Sequence, residues 1–145
     1  MTTLKTALKD TTLCKSNRNK ILADIQNLEN QLEELNKTMG INKHQFHFNK
    51  DILNSLEKIL NESGKNIDIL SQDFPRHHGI SIMAVQEALE EHKFKYIRAF
   101  NERKFRINIL KNYIYLIKET RKNIQKTKQE LQRLELFLET AKKCN

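Results

Sequence analysis

Residues that break helices are unusually scarce in this chain, and their placement constrains its fold. Only three glycines and one proline occur in 145 residues. A sandwich or an α/β domain needs many more turn-forming residues than these four. Lys, Glu, Leu, Ile and Gln are abundant, and all suit helices. The sequence therefore predicts an all-α protein with a few long helices.

The positions of the breakers divide the chain into three predicted helices. Helix A spans about 4–38, helix B about 44–73 and helix C about 81–142. Pro75 should stop helix B, and Ser81 is a suitable N-cap for helix C. All three helices form one predicted coiled-coil domain, residues 1–145.

Apolar residues recur with the heptad spacing that is typical of coiled coils. Across Gly64 the pattern of helix B keeps its phase, so we interpret Gly64 as a kink within the helix. In helix C the first seam row is predicted to include Leu89, Tyr96 and Leu110, and it is interrupted by charged Arg103. The second row is predicted to include Phe100, Ile107 and Ile114, interrupted further on by charged Arg121 and Lys128. The main predicted seam residues are Ile25, Leu28, Leu32 and Leu35 in helix A, Leu53, Leu60 and Ile67 in helix B, and Ile117, Ile124, Leu131 and Leu138 in helix C.

The helix lengths restrict the topology, because helices A and B together match helix C. The economical arrangement is an elongated antiparallel coiled-coil hairpin. Helix B then lies against the first half of helix C, and helix A against the second half. The alternative is a three-helix bundle in which helix A folds back beside helix B and the end of helix C projects.

No residue pattern in the sequence indicates catalysis, a cofactor or a metal. The glycines do not form a phosphate-binding loop, and His44 and His47 lack further ligands at metal-site spacing. Cys14 and Cys144 are expected to be free thiols, with a disulfide as the alternative if the chain ends meet. We therefore expect a non-enzymatic protein without cofactors or metals.

Helix C is strongly basic and apolar on more than one face. Between Lys93 and Lys128 there are twelve lysines and arginines against two acidic residues, Glu102 and Glu119. One partner helix covers only one apolar stripe, so a second stripe is either covered by helix A or B or exposed for docking. This second stripe comprises Phe94, Phe105, Ile109 and Leu116, widened by Tyr113 and Tyr115.

These features predict that helix C binds a partner. A helical, acidic protein, or a second copy of the chain, fits both the charge and the second stripe. Nucleic acid fits the charge but leaves the stripe unexplained, and a membrane surface would require one coherent apolar face. The predicted partner-binding residues are Phe94, Lys104, Phe105, Arg106, Ile109, Lys111, Leu116, Lys118 and Lys122.

The N-terminal residues lack the apolar core of a signal peptide, and no stretch has the length of a membrane span. A cytoplasmic or nuclear protein is therefore expected, not a secreted one. In size, basic charge and hairpin layout the chain resembles stalk proteins of flagellar and type III export ATPases. It also resembles small coiled-coil subunits of kinetochore, ciliary-transport and vesicle-tethering complexes. From the seam, the second stripe and the charge we expect a structural or adaptor subunit of a multiprotein assembly that binds its partners through helix C. The alternatives are a stalk-like component of such an export ATPase and a nucleic-acid-binding helical protein, and the resemblance supplies no functional positions.

Overall fold

A computed structural model describes two long helices and, within the described residues, no strand. Helix α1 spans Thr2–Asp73 and helix α2 spans Ile82–Lys142. The backbone is described for residues 2–73 and 82–142, and the side chains for residues 15–72 and 82–140. Pro75, Ser81 and both cysteine side chains lie outside these ranges.

The predicted boundary between helices A and B is wrong, because α1 continues through Gly40. A glycine inside a helix costs only about 1 kcal/mol relative to alanine, which a long packed helix tolerates. The heptad register is also uninterrupted: Phe46 follows Met39 by seven residues, and Asn42 follows Leu35 by seven. A single continuous helix therefore keeps both rows on the buried face.

The contacts between α1 and α2 divide the chain into two compact units, each with a part of both helices. The first unit combines Met1–Asn42 with Leu116–Asn145, and the second is Lys43–Tyr115. The N-terminal part of α1 thus pairs with the C-terminal part of α2, as the hairpin arrangement predicts. The predicted helices A and B are one continuous helix, α1, in the described structure.

Within the first unit, burial follows the predicted seam. Met39 and Leu131 are buried. Thr120 is buried as well, and its hydroxyl donates a hydrogen bond to the Leu116 carbonyl oxygen at 2.8 Å. Such a bond to the preceding turn lets a polar side chain occupy the seam without an unsatisfied group. The other predicted seam residues of this unit are partly buried: Ile25, Leu28, Leu32, Leu35, Ile117, Ile124 and Leu138.

The core of the second unit is small and lies between the two helices. Leu56 and Leu60 of α1 pack with Ala99 of α2, and Ile52 packs against this cluster. The small Ala99 side chain leaves room for the leucines opposite. Burial of apolar area, at about 25 cal/mol per Å², stabilises the pair. The predicted seam residues Leu53 and Ile67 are partly buried.

The second seam row of α2 differs from the prediction. The first row faces α1, with Leu110 buried and Leu89 partly buried, although its predicted member Tyr96 is 37% exposed. The predicted second row lies beside the helix–helix contact: Phe100 is 39% and Ile114 41% exposed, Ile107 is partly buried, and Arg121 and Lys128 are exposed. The row one residue earlier takes its place, with every member buried or partly buried: Val85, His92, Ala99, Arg106, Tyr113, Thr120, Thr127 and Leu134. Because this row contains several polar side chains, its apolar heptad pattern is weak, and the sequence pattern did not indicate it.

Candidate partner-docking surfaces

Two polar contacts join the helices of the second unit. The Arg106 Nη1 donates a hydrogen bond to the Asn49 Oδ1 at 2.7 Å, and the Asn49 Nδ2 donates to the Gln45 carbonyl oxygen at 2.7 Å. The Arg103 guanidinium pairs with the Glu57 carboxylate. Polar contacts in a coiled-coil seam fix the register of the helices. The faces of α1 and α2 are therefore held in one alignment.

These contacts show which residues border one side of the helix pair. Glu57 meets Arg103, and a Cβ at Gly64 would lie 3.8 Å from the Tyr96 ring. Residues seven apart share a helix face. The α1 row that contains Glu57 and Gly64 therefore runs beside the α2 row that contains Tyr96 and Arg103.

We call this side of the second unit the basic edge. On α2, lysines alternate there with apolar side chains, and no acidic residue falls in these positions between 93 and 114. On α1 the single acidic residue of the row, Glu57, is already paired with Arg103. The basic edge consists of Lys93, Ile97, Phe100, Lys104, Ile107, Lys111 and Ile114 on α2, with Lys43 and Lys50 on α1.

The lysines of the basic edge are exposed and are not neutralised within the described part of the chain. Lys43, Lys50 and Lys111 form no ion pair with a described residue. The Lys104 Nζ lies 4.6 Å from the centroid of the Phe100 ring, within the range of a cation–π interaction. The edge therefore presents unneutralised positive charge beside apolar surface.

The opposite side of the second unit carries a different surface, the apolar edge. It consists of Phe48, Ile52 and Ile59 on α1 and Phe105 and Ile109 on α2. Phe48 is 55% exposed, Ile59 41% and Phe105 59%. Ile52 and Ile109 are partly buried, nearer the helix–helix contact. Both helices thus contribute apolar side chains to the same side of the helix pair.

Beside Ile59, the apolar edge continues into a mixed groove of about 600 Å³. Its charged lining residues balance, since Glu62 and Glu102 accompany Lys95 and Arg98. His92 also lines this groove, and its buried Nδ1 has no hydrogen-bond partner. The groove therefore offers both apolar and polar contacts next to the apolar edge.

The structure does not bring the predicted partner-binding residues onto one face. Lys104 and Lys111 lie on the basic edge, whereas Phe105 and Ile109 lie on the apolar edge. Arg106 lies in the seam with Asn49. Phe94 is 66% exposed and lies on the outer face of α2, opposite the seam. In the first unit, Leu116 is partly buried, and Lys118 and Lys122 are exposed.

Sequence reasoning missed the α1 half of both edges. Phe48 and Ile59 fall outside the heptad seam, as do Lys43 and Lys50. For the apolar residues, the sequence signal was their spacing: Ile52 follows Phe48 by four residues, and Ile59 follows Ile52 by seven. This spacing puts the three on one helical face beside the seam.

The described residues contain neither a candidate metal site nor a candidate membrane span. No group of three or more potential ligands could hold a metal ion there. His44 and His47 are exposed, and His77 and His78 lie outside the described residues. No described helix contains a segment with the length and apolar character needed to cross a membrane.

Comparisons with protein families, curated proteins and solved structures found no match.

Proposed function

We propose that the protein is a non-catalytic coiled-coil adaptor or structural subunit of a multiprotein assembly. In this proposal the apolar edge of the second unit binds a helix of a partner protein. Two helices that both expose apolar side chains beside their seam form the groove that a third helix fills in a bundle.

The observation that carries this proposal is the exposure of aromatic side chains on both helices of the apolar edge. Phe48 and Phe105 are each more than half exposed, on α1 and α2 respectively. Aromatic residues contribute much of the binding energy at protein interfaces. The partly buried Ile52 and Ile109 extend the apolar surface inward. A partner helix with an apolar face would cover all four.

The mixed groove supports the same partner class. A third helix that extends past Ile59 would meet Glu62, Lys95, Arg98 and Glu102, which offer both signs of charge. It could also supply the hydrogen bond that the His92 Nδ1 lacks. Such polar contacts at the end of an apolar surface determine orientation and register.

Affinity purification of the tagged full-length chain from its own cells, with quantitative mass spectrometry, tests this proposal. The variant Phe48→Glu/Phe105→Glu should lose the specifically retained partner at least tenfold. Both side chains are already exposed, so helicity by circular dichroism should be unchanged. The matched control is Phe94→Glu/Tyr115→Glu, two exposed aromatics on the outer face of α2, which should retain the partner.

Three outcomes contradict the proposal. Retention of the same proteins by both variants would show that the apolar edge does not bind them. Unfolding of the Phe48→Glu/Phe105→Glu variant would show that the edge is part of the hairpin core. A wild-type chain that sediments as a dimer, with the variant sedimenting as a monomer, would show that a second copy covers the edge.

A further inference from the structure

We infer that the basic edge is a second, separate docking surface and that its occupant is an acidic amphipathic helix. This inference goes beyond the proposed function, because it concerns the opposite side of the second unit. It also locates the expected acidic partner on named residues of both helices.

The arrangement of side chains on the basic edge favours a helix as occupant. Phe100, Ile107 and Ile114 follow one another at intervals of seven residues, directly beside the seam. Phe100 is 39% and Ile114 41% exposed, and Ile107 is partly buried. This row repeats with the coiled-coil period, so the apolar face of another helix can follow it without losing contact.

The lysines lie on both sides of this apolar row. Lys104 and Lys111 project from the outer side of α2, while Lys43 and Lys50 project from α1. A docked helix would therefore have lysines along both flanks. Glu or Asp residues on its flanks would pair with them, as charged flanking positions do in coiled coils.

Other occupants fit the basic edge less well. A second copy of this chain carries a net charge of +8 and would repel the lysines. A bilayer prefers one coherent apolar face, but here lysines are interleaved with the apolar residues. Nucleic acid would contact the lysines through phosphates and leave Ile97 and Ile114 uncovered.

Fluorescence anisotropy with a labelled synthetic peptide tests the inference on the full-length chain. The probe has about four heptads with Leu in the two seam positions and Glu in the flanking positions. A second peptide carries Lys in place of each Glu. The acidic peptide should bind, its affinity should fall as NaCl rises from about 50 to 500 mM, and the basic peptide should not bind.

A charge reversal on the edge separates site-specific binding from general attraction. Lys104→Glu/Lys111→Glu should weaken binding of the acidic peptide at least tenfold. Lys58→Glu/Lys65→Glu is the matched control, with the same change in net charge and the same seven-residue spacing on the exposed outer face of α1. The control should change the dissociation constant less than about twofold, since it removes only long-range attraction.

The inference is overturned if the acidic peptide fails to bind the wild-type chain, or if both charge-reversed variants bind it equally. It is also overturned if a DNA duplex or phosphatidylserine vesicles bind more tightly than the peptide and lose that binding in Lys104→Glu/Lys111→Glu. The Phe48→Glu/Phe105→Glu variant should still bind the peptide. Its behaviour distinguishes a failure of this inference from a failure of the proposed apolar-edge function.

Discussion

At the scale of single residues, Asn49 and Arg106 are the most informative pair. Asn49 is 4% exposed, and it hydrogen-bonds both its own helix and the guanidinium of Arg106. The Arg106 Nε is buried without a partner, and its Nη2 lies 3.8 Å from a Glu102 oxygen. A seam of leucines alone would stabilise several registers about equally, whereas this polar pair favours one.

Replacement of this pair should show how strongly Asn49 and Arg106 depend on each other for the stability of the folded protein. Asn49→Leu alone should destabilise the protein by about 1–3 kcal/mol, because it leaves the partly buried Arg106 guanidinium without this acceptor. The double variant Asn49→Leu/Arg106→Leu should recover most of that loss, since it removes both polar partners. Urea unfolding of both single variants and the double variant measures the coupling energy. A double variant with the summed loss of the two singles would refute a coupled pair.

At the scale of helices, α1 and α2 show two different ways in which a sequence pattern can mislead a prediction of helix ends or seam rows. In α1 the heptad phase runs unbroken through Gly40, and that phase, rather than the glycine, predicts the single helix that the structure shows. In α2 the second seam row contains His92, Arg106 and Thr120, so its apolar signal is weak. Neighbouring Phe100 and Ile114 are more hydrophobic but lie beside the seam.

Adjacent residues at the α2 seam give a direct test of the buried row. Ala99 is 4% exposed and Phe100 39%. Ala99→Asp should destabilise the protein by about 3 kcal/mol or more, because it places an unpaired charge between Leu56 and Leu60. Phe100→Asp should cost less, about 1–2 kcal/mol, since the side chain is 39% exposed and lies beside the seam instead of between the two helices. Thermal and urea unfolding measure both, and the reverse order would restore the row predicted from sequence.

At the scale of the whole molecule, positive charge is concentrated and only partly compensated. The chain carries +8 overall, and twelve of its basic residues lie between Lys93 and Lys128. Arg103 and Arg106 are bound within the helix pair. The other ten are exposed, so mutual repulsion among them opposes folding of the free chain.

Salt should therefore stabilise the isolated protein. Raising NaCl from about 50 to 500 mM shortens the Debye length from more than 10 Å to about 4 Å. We expect the melting temperature to rise by about 3–5 °C, which corresponds to about 1 kcal/mol. The Lys104→Glu/Lys111→Glu variant, with a smaller net charge, should gain less. A melting temperature that stays constant or falls would show that ion pairs outweigh repulsion.

The sequence by itself determined the all-α class, the hairpin pairing, both seam rows of α1 and one seam row of α2. These features follow from the scarcity of helix-breaking residues, the matched helix lengths and the strong heptad repeat of apolar residues. All three can be read from the chain without knowing which residues come into contact. Only the tertiary structure decided the second row of α2 and the division of the predicted binding residues between two edges. Those depend on which side of α2 faces α1. The side of α2 that faces α1 is favoured by the small Ala99 and by polar contacts such as Asn49–Arg106. Because the partners in these contacts lie far apart in sequence, the periodicity of either helix alone does not reveal them.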